Sequence, residues 1–229
     1  MILFFDMEFS GLHQKTTPIS IGITPELIPD GVPLPYFYAE FTDYDRTQLD
    51  PWLEENVIAN LKLSRNGIAP YTERRKLPNA FAPKPFKNIA NSTGYITEVK
   101  GGTAYVVKEL KQWLGQVHTT YPSKIQMVSD CLAYDWVLFC EMFGSGMSLP
   151  EYMNYIPLDL CSLMVANNID PDINRERFAR LDADADKHNA MWDAYVIRAC
   201  FYNLIPLDHL VYKPYYGSHR YVWANEFED

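Results

Sequence analysis

The chain begins with an apolar run that ends in two carboxylates. Ile2 to Phe5 are β-branched or aromatic, and the run continues into Asp6-Met7-Glu8. A second run, Ile19 to Ile23, alternates apolar with small residues, and both patterns are typical of adjacent strands in a buried sheet. Because side chains on a strand point to the same face at every second residue, we expect Asp6 and Glu8 to project together.

Two carboxylates this close indicate a metal site. They repel each other and raise each other's pKa unless a cation lies between them. Mg²⁺ is usually held by a few carboxylates together with substrate phosphate, so Asp6 and Glu8 are candidate ligands. The alternative for so short a motif is that one carboxylate caps a turn and the other is solvated. Acidic residues elsewhere in the chain decide between these readings.

A third candidate ligand, Asp135, follows a strand-type run at 127–129. The residues around it have helical spacing, and Asp135 is predicted to point away from the apolar stripe of that helix. The stripe consists of Ala133, Val137, Cys140 and Gly144.

The last candidate group lies at His188 to Asp193. Asn189 is predicted to be the N-cap of a helix, which places Asp193 in its first turn and His188 just ahead of it. The acidic run at 182–186 has the outline of a calcium loop, but Lys187 stands where that loop needs glycine. The run is therefore predicted to be a solvated loop that carries His188 into the site. The apolar helix positions are Ala190, Ala194, Ile197, Phe201 and Leu204.

The set Asp6, Glu8, Asp135 and Asp193, with His188 five residues before the last, resembles the DEDDh family of 3′-to-5′ exonucleases. The motifs occur in the family's order, and the resemblance covers residues 1–61 and 103–205. It implies an α/β fold with a ribonuclease H-like mixed sheet flanked by helices.

Two branches of that family share particular motifs with this chain. Asp6 to Leu12 is similar to the first motif of oligoribonuclease and its relatives. Ala133-Tyr134-Asp135 and the stretch from Trp52 to Leu61 are more similar to ribonuclease AS, the polyadenylate-specific exoribonuclease branch. RNA is favoured as the substrate on this resemblance alone.

The resemblance also implies roles for the site residues. Two divalent ions, Mg²⁺ or Mn²⁺, lie about 3.5–4 Å apart in such sites and hold the scissile phosphate. Asp6 is implied to bridge both ions, and Asp135 to hold the second through water. Glu8 and Asp193 complete the shell of the first ion. His188 is implied to be the general base, which suits an imidazole whose pKa of about 6.5 leaves a neutral fraction at physiological pH.

Residues within the first motif are predicted to contact substrate. Phe9 and Leu12 are expected to wedge against the terminal base, and the backbone around Ser10 and Gly11 to bind the terminal sugar. Tyr134 is a further candidate contact. The predicted reaction releases nucleoside 5′-monophosphates from the 3′ end of single-stranded RNA. The alternatives are a 3′-to-5′ exodeoxyribonuclease, a phosphoesterase for short products and a non-catalytic nucleic-acid-binding module.

A formal net charge of −9 runs against nucleic-acid binding, which is largely electrostatic. Residues 62–100 differ, since their eight basic and two acidic residues carry +6. Four prolines argue against a continuous helix there, and interleaved aromatic residues suit base stacking beside a phosphate track. The alternative is a solvated loop whose aromatic residues pin it to the core. The candidate track residues are Arg65, Arg74, Arg75, Lys76, Lys84 and Lys87.

Composition predicts one α/β domain over residues 1–229, with an insertion at 62–101 and an aromatic tail at 206–229. The tail could pack over the site, contact substrate or form a homodimer interface. No apolar run reaches the length of a membrane span and no basic secretory flank is present, so a cytoplasmic location without membrane contact is expected. The four cysteines lack Cys-x-x-Cys spacing, which favours reduced thiols.

Three early strands followed by alternating helices and strands predict an α/β sandwich around a mixed sheet. The helix at 103–117 is predicted to bury one face formed by Val107, Leu110, Leu114 and Val117. The predicted strands are 2–6, 18–24, 36–42, 124–129 and 155–160, and the predicted helices are 51–61, 103–117, 132–143 and 189–204.

Overall fold

In the computed structural model, the β-branched and aromatic runs form one mixed sheet. The structure describes residues 1–26, 36–64, 96–181 and 188–205, and the backbone of 210–215 and 218–223. The strands of the sheet are β1 (Ile2–Phe9), β2 (Pro18–Pro25), β3 (Tyr36–Phe41), β4 (Ile96–Gly101), β5 (Gln126–Ser129) and β6 (Leu158–Asp159).

Strand order in this sheet is β4-β3-β2-β1-β5-β6. β1 pairs antiparallel with β2 and parallel with β5, while β3 and β4 are parallel to each other. Since β2 and β3 are antiparallel, β2 is the one strand of the six that runs against the others. β1 is central, and its carboxyl end therefore lies beside the carboxyl end of β5.

Within the described ranges, six α-helices connect or follow the strands, and their caps explain where several begin. Asp50 and Asn189 each cap a helix by accepting from backbone N–H groups, as their residue types predict. α2 buries Val107, Leu110, Leu114 and Val117, which confirms the predicted face. The helices are α1 (Pro51–Asn56), α2 (Thr103–Thr120), α3 (Leu132–Met142), α4 (Leu160–Ala166), α5 (Arg175–Phe178) and α6 (Ala190–Leu204).

Alternate residues of β1 face two different helical layers. Leu3, Phe5 and Met7 belong to a core with residues of α2 and α3. Ile2 and Phe4 belong to a second core with residues of α4 and α6. The architecture is therefore an α/β sheet flanked by helices on both faces, which agrees with the predicted fold class. Asp6 and Glu8 continue the phase of Ile2 and Phe4, toward the α6 layer.

Several predicted boundaries are wrong, for local reasons. The predicted helix 51–61 ends at Asn56 and continues as a 3₁₀ turn at Ile58–Asn60. The predicted strand 155–160 contains only two strand residues, because Asp159 caps α4. The predicted insertion 62–101 includes β4, whose pairing with β3 is a tertiary contact that local periodicity does not carry.

The predicted apolar stripe of α3 is also wrong. Val137 is 54% exposed, whereas Asp135, Leu138 and Phe139 are buried. Periodicity favoured the apolar Val137 over a carboxylate, although a functional site can bury a charged residue on the inner face of a helix. Asp135 therefore points inward, toward the end of β1.

The tail contains a hairpin that periodicity did not predict. β7 (Leu210–Tyr215) pairs antiparallel with β8 (Ser218–Trp223) as a separate two-stranded sheet. All four cysteines are free thiols, as expected. None of the helices within the described ranges combines the length and apolar character needed to cross a membrane.

Candidate metal centre

The candidate centre lies at the carboxyl ends of the two adjacent parallel strands β1 and β5. Asp6 and Glu8 occupy the end of β1, and Asp130 directly follows β5. α3 starts immediately after β5 and brings Asp135 in its first turn, while α6 packs against β1 and β2 and brings Asp193. Ligand sites in open α/β sheets commonly form at this edge.

The acidic side chains form two groups. In the first group, one ligand atom each from Glu8, His188 and Asp193 lies within 4.8 Å of the others. In the second group, oxygen atoms of Asp6, Asp130 and Asp135 meet the same limit. The charges of Asp193 and Glu8 act on Asp6, so the two groups are neighbours and the structure places all five predicted residues in one region. Asp130 joins them without having been predicted.

Local backbone geometry sets the position of His188 at the start of α6. The Asn189 side chain accepts hydrogen bonds from the backbone N–H groups of Met191 (3.2 Å) and Trp192 (3.3 Å), and donates one to the Asn60 carbonyl (3.0 Å). His188 itself has φ +61°, which is uncommon for a non-glycine residue. Its ring meets the Trp52 ring edge-on, with 4.9 Å between centroids.

Gly22 allows the first turn of α6 to pack closely against β2, next to Asp6. It is the register partner of Asp6 in β2. A Cβ at this position would lie 2.4 Å from the Ala190 carbonyl oxygen and from the backbone nitrogen and Cα of Met191. Any other residue would therefore push the first turn of α6, and Asp193 with it, away from β1.

Burial and mutual repulsion dominate the electrostatics of the centre. Burial, followed by the charges of Asp135, Asp193 and Glu8, raises the pKa of Asp6 well above its usual range. Burial raises the pKa of Glu8 to about 7, although a hydrogen bond with Asp193 opposes the shift. Without a cation, the acids therefore retain protons that carboxylates normally lose.

The pKa values of Asp135 and Asp193 shift in the same direction. Burial is the largest cause for both, and the negative charge of Glu8 adds to it. A hydrogen bond from the Ser129 hydroxyl to Asp135 Oδ2, and one from the His188 backbone N–H to Asp193, partly oppose these shifts. These donors orient the two carboxylates while leaving their negative charge largely uncompensated.

One buried oxygen supports the fit of a cation. Asp135 is fully buried, and the Met7 backbone N–H lies close enough to its carboxylate to lower its pKa. Among the residues described, no group has the geometry of a full hydrogen bond to Oδ1. A buried carboxylate oxygen without a partner is expensive, and a hard divalent cation is the partner its chemistry suits. An octahedral Mg²⁺ at about 2.0–2.1 Å would hold its oxygens about 3–4.2 Å apart, so small movements within each group would suffice.

The raised pKa values predict how metal ions affect stability. As pH rises from about 4.3 to 7, the unfolded chain loses the Glu8 proton first. The metal-free fold then binds more protons than the unfolded chain, so its stability falls across this window. Metal binding requires deprotonated ligands, so Mn²⁺ should raise the melting temperature much more at about pH 8 than at about pH 5. Differential scanning fluorimetry with and without Mn²⁺ measures this, and an equal shift at both pH values would contradict it.

The residues predicted to contact substrate differ in packing and exposure. Phe9 stacks on Tyr134, with 5.5 Å between ring centroids and 21° between planes. Leu12 is 69% exposed, and Gly11 has φ +148°, a conformation that L side chains rarely adopt. The Ser10 hydroxyl is buried and donates to Gln48 Oε1 while accepting from the Thr17 backbone N–H (2.9 Å). That hydroxyl therefore shapes the loop.

The predicted basic track falls largely outside the described residues. This applies to Arg65, Arg74, Arg75, Lys76, Lys84 and Lys87. At the two ends of the segment, Lys62 forms an ion pair with Glu98, and the Lys100 ammonium donates to the Ser64 hydroxyl (3.0 Å). These two lysines link residues 62–64 to β4, so their charges are used in contacts within the fold.

Two residues near the centre were not predicted from the sequence. Asp130 was passed over because it directly follows a strand and matches no helical position. Ser20 lies opposite Glu8 in β2, and its buried hydroxyl has no hydrogen-bond partner among the residues described. The pairing of Ser20 with Glu8 follows from the β1–β2 register, and the spacing of acids alone carries no signal for it.

Comparison with known proteins adds no assignment. No protein-family model matches the chain, and a search of curated proteins finds no significant match.

Proposed function

We propose that this protein is a metal-dependent 3′-to-5′ exoribonuclease of the DEDDh type that releases nucleoside 5′-monophosphates. The observation that carries the proposal is the convergence of Asp6, Glu8, Asp135 and Asp193 with His188 from three distant parts of the chain. Asp6 and Asp135 are buried, and Glu8 and Asp193 are half-buried. Carboxylates this close destabilise a fold unless they hold cations, so their convergence argues for a site with two ions.

We also infer a ribonuclease H-like fold, and the topology of the sheet supports this inference. The resemblance implies a mixed sheet flanked by helices, and here β1 is antiparallel to β2 and parallel to β5. The sequence predicts acids at the end of the first strand, in the helix that follows the 127–129 run and in the first turn of the last helix. Those are the positions of Asp6, Asp135 and Asp193.

The roles of the residues follow from the two groups. Divalent ions bound there would activate a water for attack and stabilise the departing 3′ oxygen. Asp6, with neighbours in both groups, suits a bridging position. Glu8 and Asp193 belong to the first group and Asp135 to the second. His188, at the edge of the first group, can accept a proton from the attacking water.

Contacts beside the centre favour nucleic acid as the substrate. The stacked Phe9 and Tyr134 offer aromatic surface for a terminal base. The Lys62 backbone N–H donates to the Tyr38 hydroxyl (3.2 Å), and Asn189 also bonds that hydroxyl. Because Asn189 adjoins His188, Lys62, the first residue of the basic segment, lies close to the centre. The net positive charge of this segment would compensate for the acidic remainder of the chain.

A time course on 5′-labelled oligomers tests the proposal. Matched RNA and DNA strands of several lengths would be incubated with Mg²⁺ or Mn²⁺ and resolved on a denaturing gel. We expect RNA to shorten one nucleotide at a time from the 3′ end, with loss of activity in EDTA. Faster shortening of DNA would assign an exodeoxyribonuclease, and turnover confined to the shortest strands would assign a phosphoesterase for short products. Binding without cleavage would overturn the proposal.

Replacing His188 separates proton transfer from metal binding. We expect His188→Ala to lower kcat by about 10²-fold, because a positioned general base typically contributes this much or more. Mn²⁺ affinity should stay near that of the unmodified protein, since the carboxylates remain. Calorimetric Mn²⁺ titration together with single-turnover rates measures both quantities. If His188→Ala lost Mn²⁺ binding as completely as Asp193→Asn, His188 would be a ligand and the general-base role would be wrong.

A further inference from the structure

We propose that Asp130 is a fifth carboxylate ligand of the centre, serving the ion of the second group, and that Arg175 positions it. This inference rests on the proposed two-ion function and extends it, since the four acids of the DEDDh pattern do not include Asp130. Its carboxylate lies within 4.8 Å of the ligand oxygens of Asp6 and Asp135. The second group is therefore incomplete without it.

The surroundings of Asp130 suit a ligand. Its side chain is only 17% exposed, although it directly follows β5 at the open edge of the sheet. The neighbouring Asp135 Oδ1 is buried and accepts no full hydrogen bond in the described structure. A cation that binds this Asp135 oxygen would also lie close to Asp130, because the ligand oxygens of the two carboxylates lie within 4.8 Å of each other.

Arg175 contacts the Asp130 carboxylate. Its Nε forms an ion pair with Asp130 Oδ2 without the geometry of a hydrogen bond in the described structure, while another guanidinium nitrogen donates to the Cys161 sulfur at 3.1 Å. The Cys161 thiol in turn contacts the Asp130 carbonyl oxygen at 3.1 Å. Two anchors on a planar guanidinium restrict its rotation. Asp130 is thus oriented as outer-shell partners orient ligands in known metal sites.

Charge also favours this arrangement. The four acids of the predicted set balance the charge of two divalent ions, and Asp130 adds one negative charge that Arg175 offsets. The pair can therefore supply a ligand oxygen without adding net charge to a centre that is already crowded with carboxylates. Without Asp130 to neutralise it, the positive charge of Arg175 would repel a cation bound nearby and weaken its binding.

Calorimetric Mn²⁺ titration of the full-length protein tests the inference. Asp135→Asn identifies the binding event of the second group. We expect Asp130→Asn to weaken that event by about 10-fold, within the range typical for lost metal-site partners, and to leave the other event unchanged. Asp130→Glu, which keeps the charge, should restore part of the affinity. Asp172→Asn, an exposed acid of the loop before α5, is the matched control and should change neither event.

A double variant separates ligation from simple charge screening. In Asp130→Asn/Arg175→Gln both charges are lost, so a screening role predicts recovery of wild-type Mn²⁺ affinity. A ligand role predicts that the second event stays about 10-fold weaker. Arg175→Gln alone should weaken the same event by a smaller factor, because Asp130 remains but is no longer oriented.

The outcomes also distinguish this inference from the proposed function. Recovery in the double variant, or unchanged Mn²⁺ affinity with a lower melting temperature in Asp130→Asn, would make the pair structural and overturn the inference. If Asp130→Asn does not fold, Arg175→Gln and Asp130→Glu decide by the same titration. If calorimetry shows two Mn²⁺ binding events but the gel shows no shortening of RNA, the proposed function is wrong. The assignment of Asp130 as a ligand would still stand.

Discussion

Asp6→Asn is expected to reduce the exonuclease rate by at least about 10³-fold while leaving the fold intact. Metal ions stabilise transition-state charge by several kcal/mol, and each 1.36 kcal/mol corresponds to about tenfold in rate. The pKa of Asp6 responds to Asp135 in its own group and to Asp193 and Glu8 in the other, so its loss should affect both ions. Single-turnover cleavage of 5′-labelled RNA and Mn²⁺ titration measure the two effects.

The same variant should be at least as stable to heat as the unmodified protein when metal is absent. Asparagine has nearly the shape of aspartate but does not have to be buried as an anion among Asp135, Asp193 and Glu8. At about pH 8 the melting temperature in EDTA is expected to rise, since the repulsion is then largest. Asp172→Asn, on an exposed turn, should leave both rate and melting temperature unchanged. If the Asp6→Asn protein cleaved RNA as fast as the unmodified protein, Asp6 would not be part of the centre.

Gly22→Ala is expected to produce the largest loss of stability of any single-methyl addition near the site. Overpacking a core typically destabilises a protein by about 1–3 kcal/mol. This value should be met or exceeded here, because the new Cβ would lie 2.4 Å from backbone atoms of Ala190 and Met191, which cannot rotate away. Relief requires α6 to move outward, so Asp193 should separate from Glu8. Mn²⁺ affinity and cleavage rate should fall together with the melting temperature.

Gly115→Ala is the matched control for this variant. Gly115 lies inside α2, and a Cβ there would meet only the Tyr152 hydroxyl at an ordinary 3.8 Å. Alanine in a helix interior is favoured over glycine by about 0.5–1 kcal/mol, so this variant should melt slightly higher. Chemical denaturation of both variants gives the comparison. If Gly22→Ala were as stable and active as Gly115→Ala, the close approach of α6 to β2 would not position the centre.

Much of the candidate centre could be predicted because its residues adjoin strong local signals. Asp6 and Glu8 end an apolar strand, and Asn189 is a residue type that caps helices, so Asp193 could be assigned to a first helical turn. The amphipathic face of α2 followed from its 3.6-residue period in the same way. Each of these features depends on residues that are close along the chain.

Other features depended on contacts between distant segments. Asp135 was predicted on the wrong side of α3, because apolar periodicity treats a carboxylate as a surface residue, while the structure buries it opposite β1. β4 was missed because its partner β3 lies more than fifty residues earlier. Asp130 forms an ion pair with Arg175, forty-five residues later, and no local pattern connects the two residues.

The amino-acid pattern was thus sufficient for the α/β class, the main strands and helices, and the identity of five acidic and imidazole side chains that could work together. Their division into two groups, the addition of Asp130 and the requirement for glycine at position 22 came from the packing of α3 and α6 around the end of β1. Periodicity and capping are properties of neighbouring residues, whereas distances between carboxylates arise from sheet register and helix packing. Those long-range contacts have no counterpart in the spacing of residues along the chain.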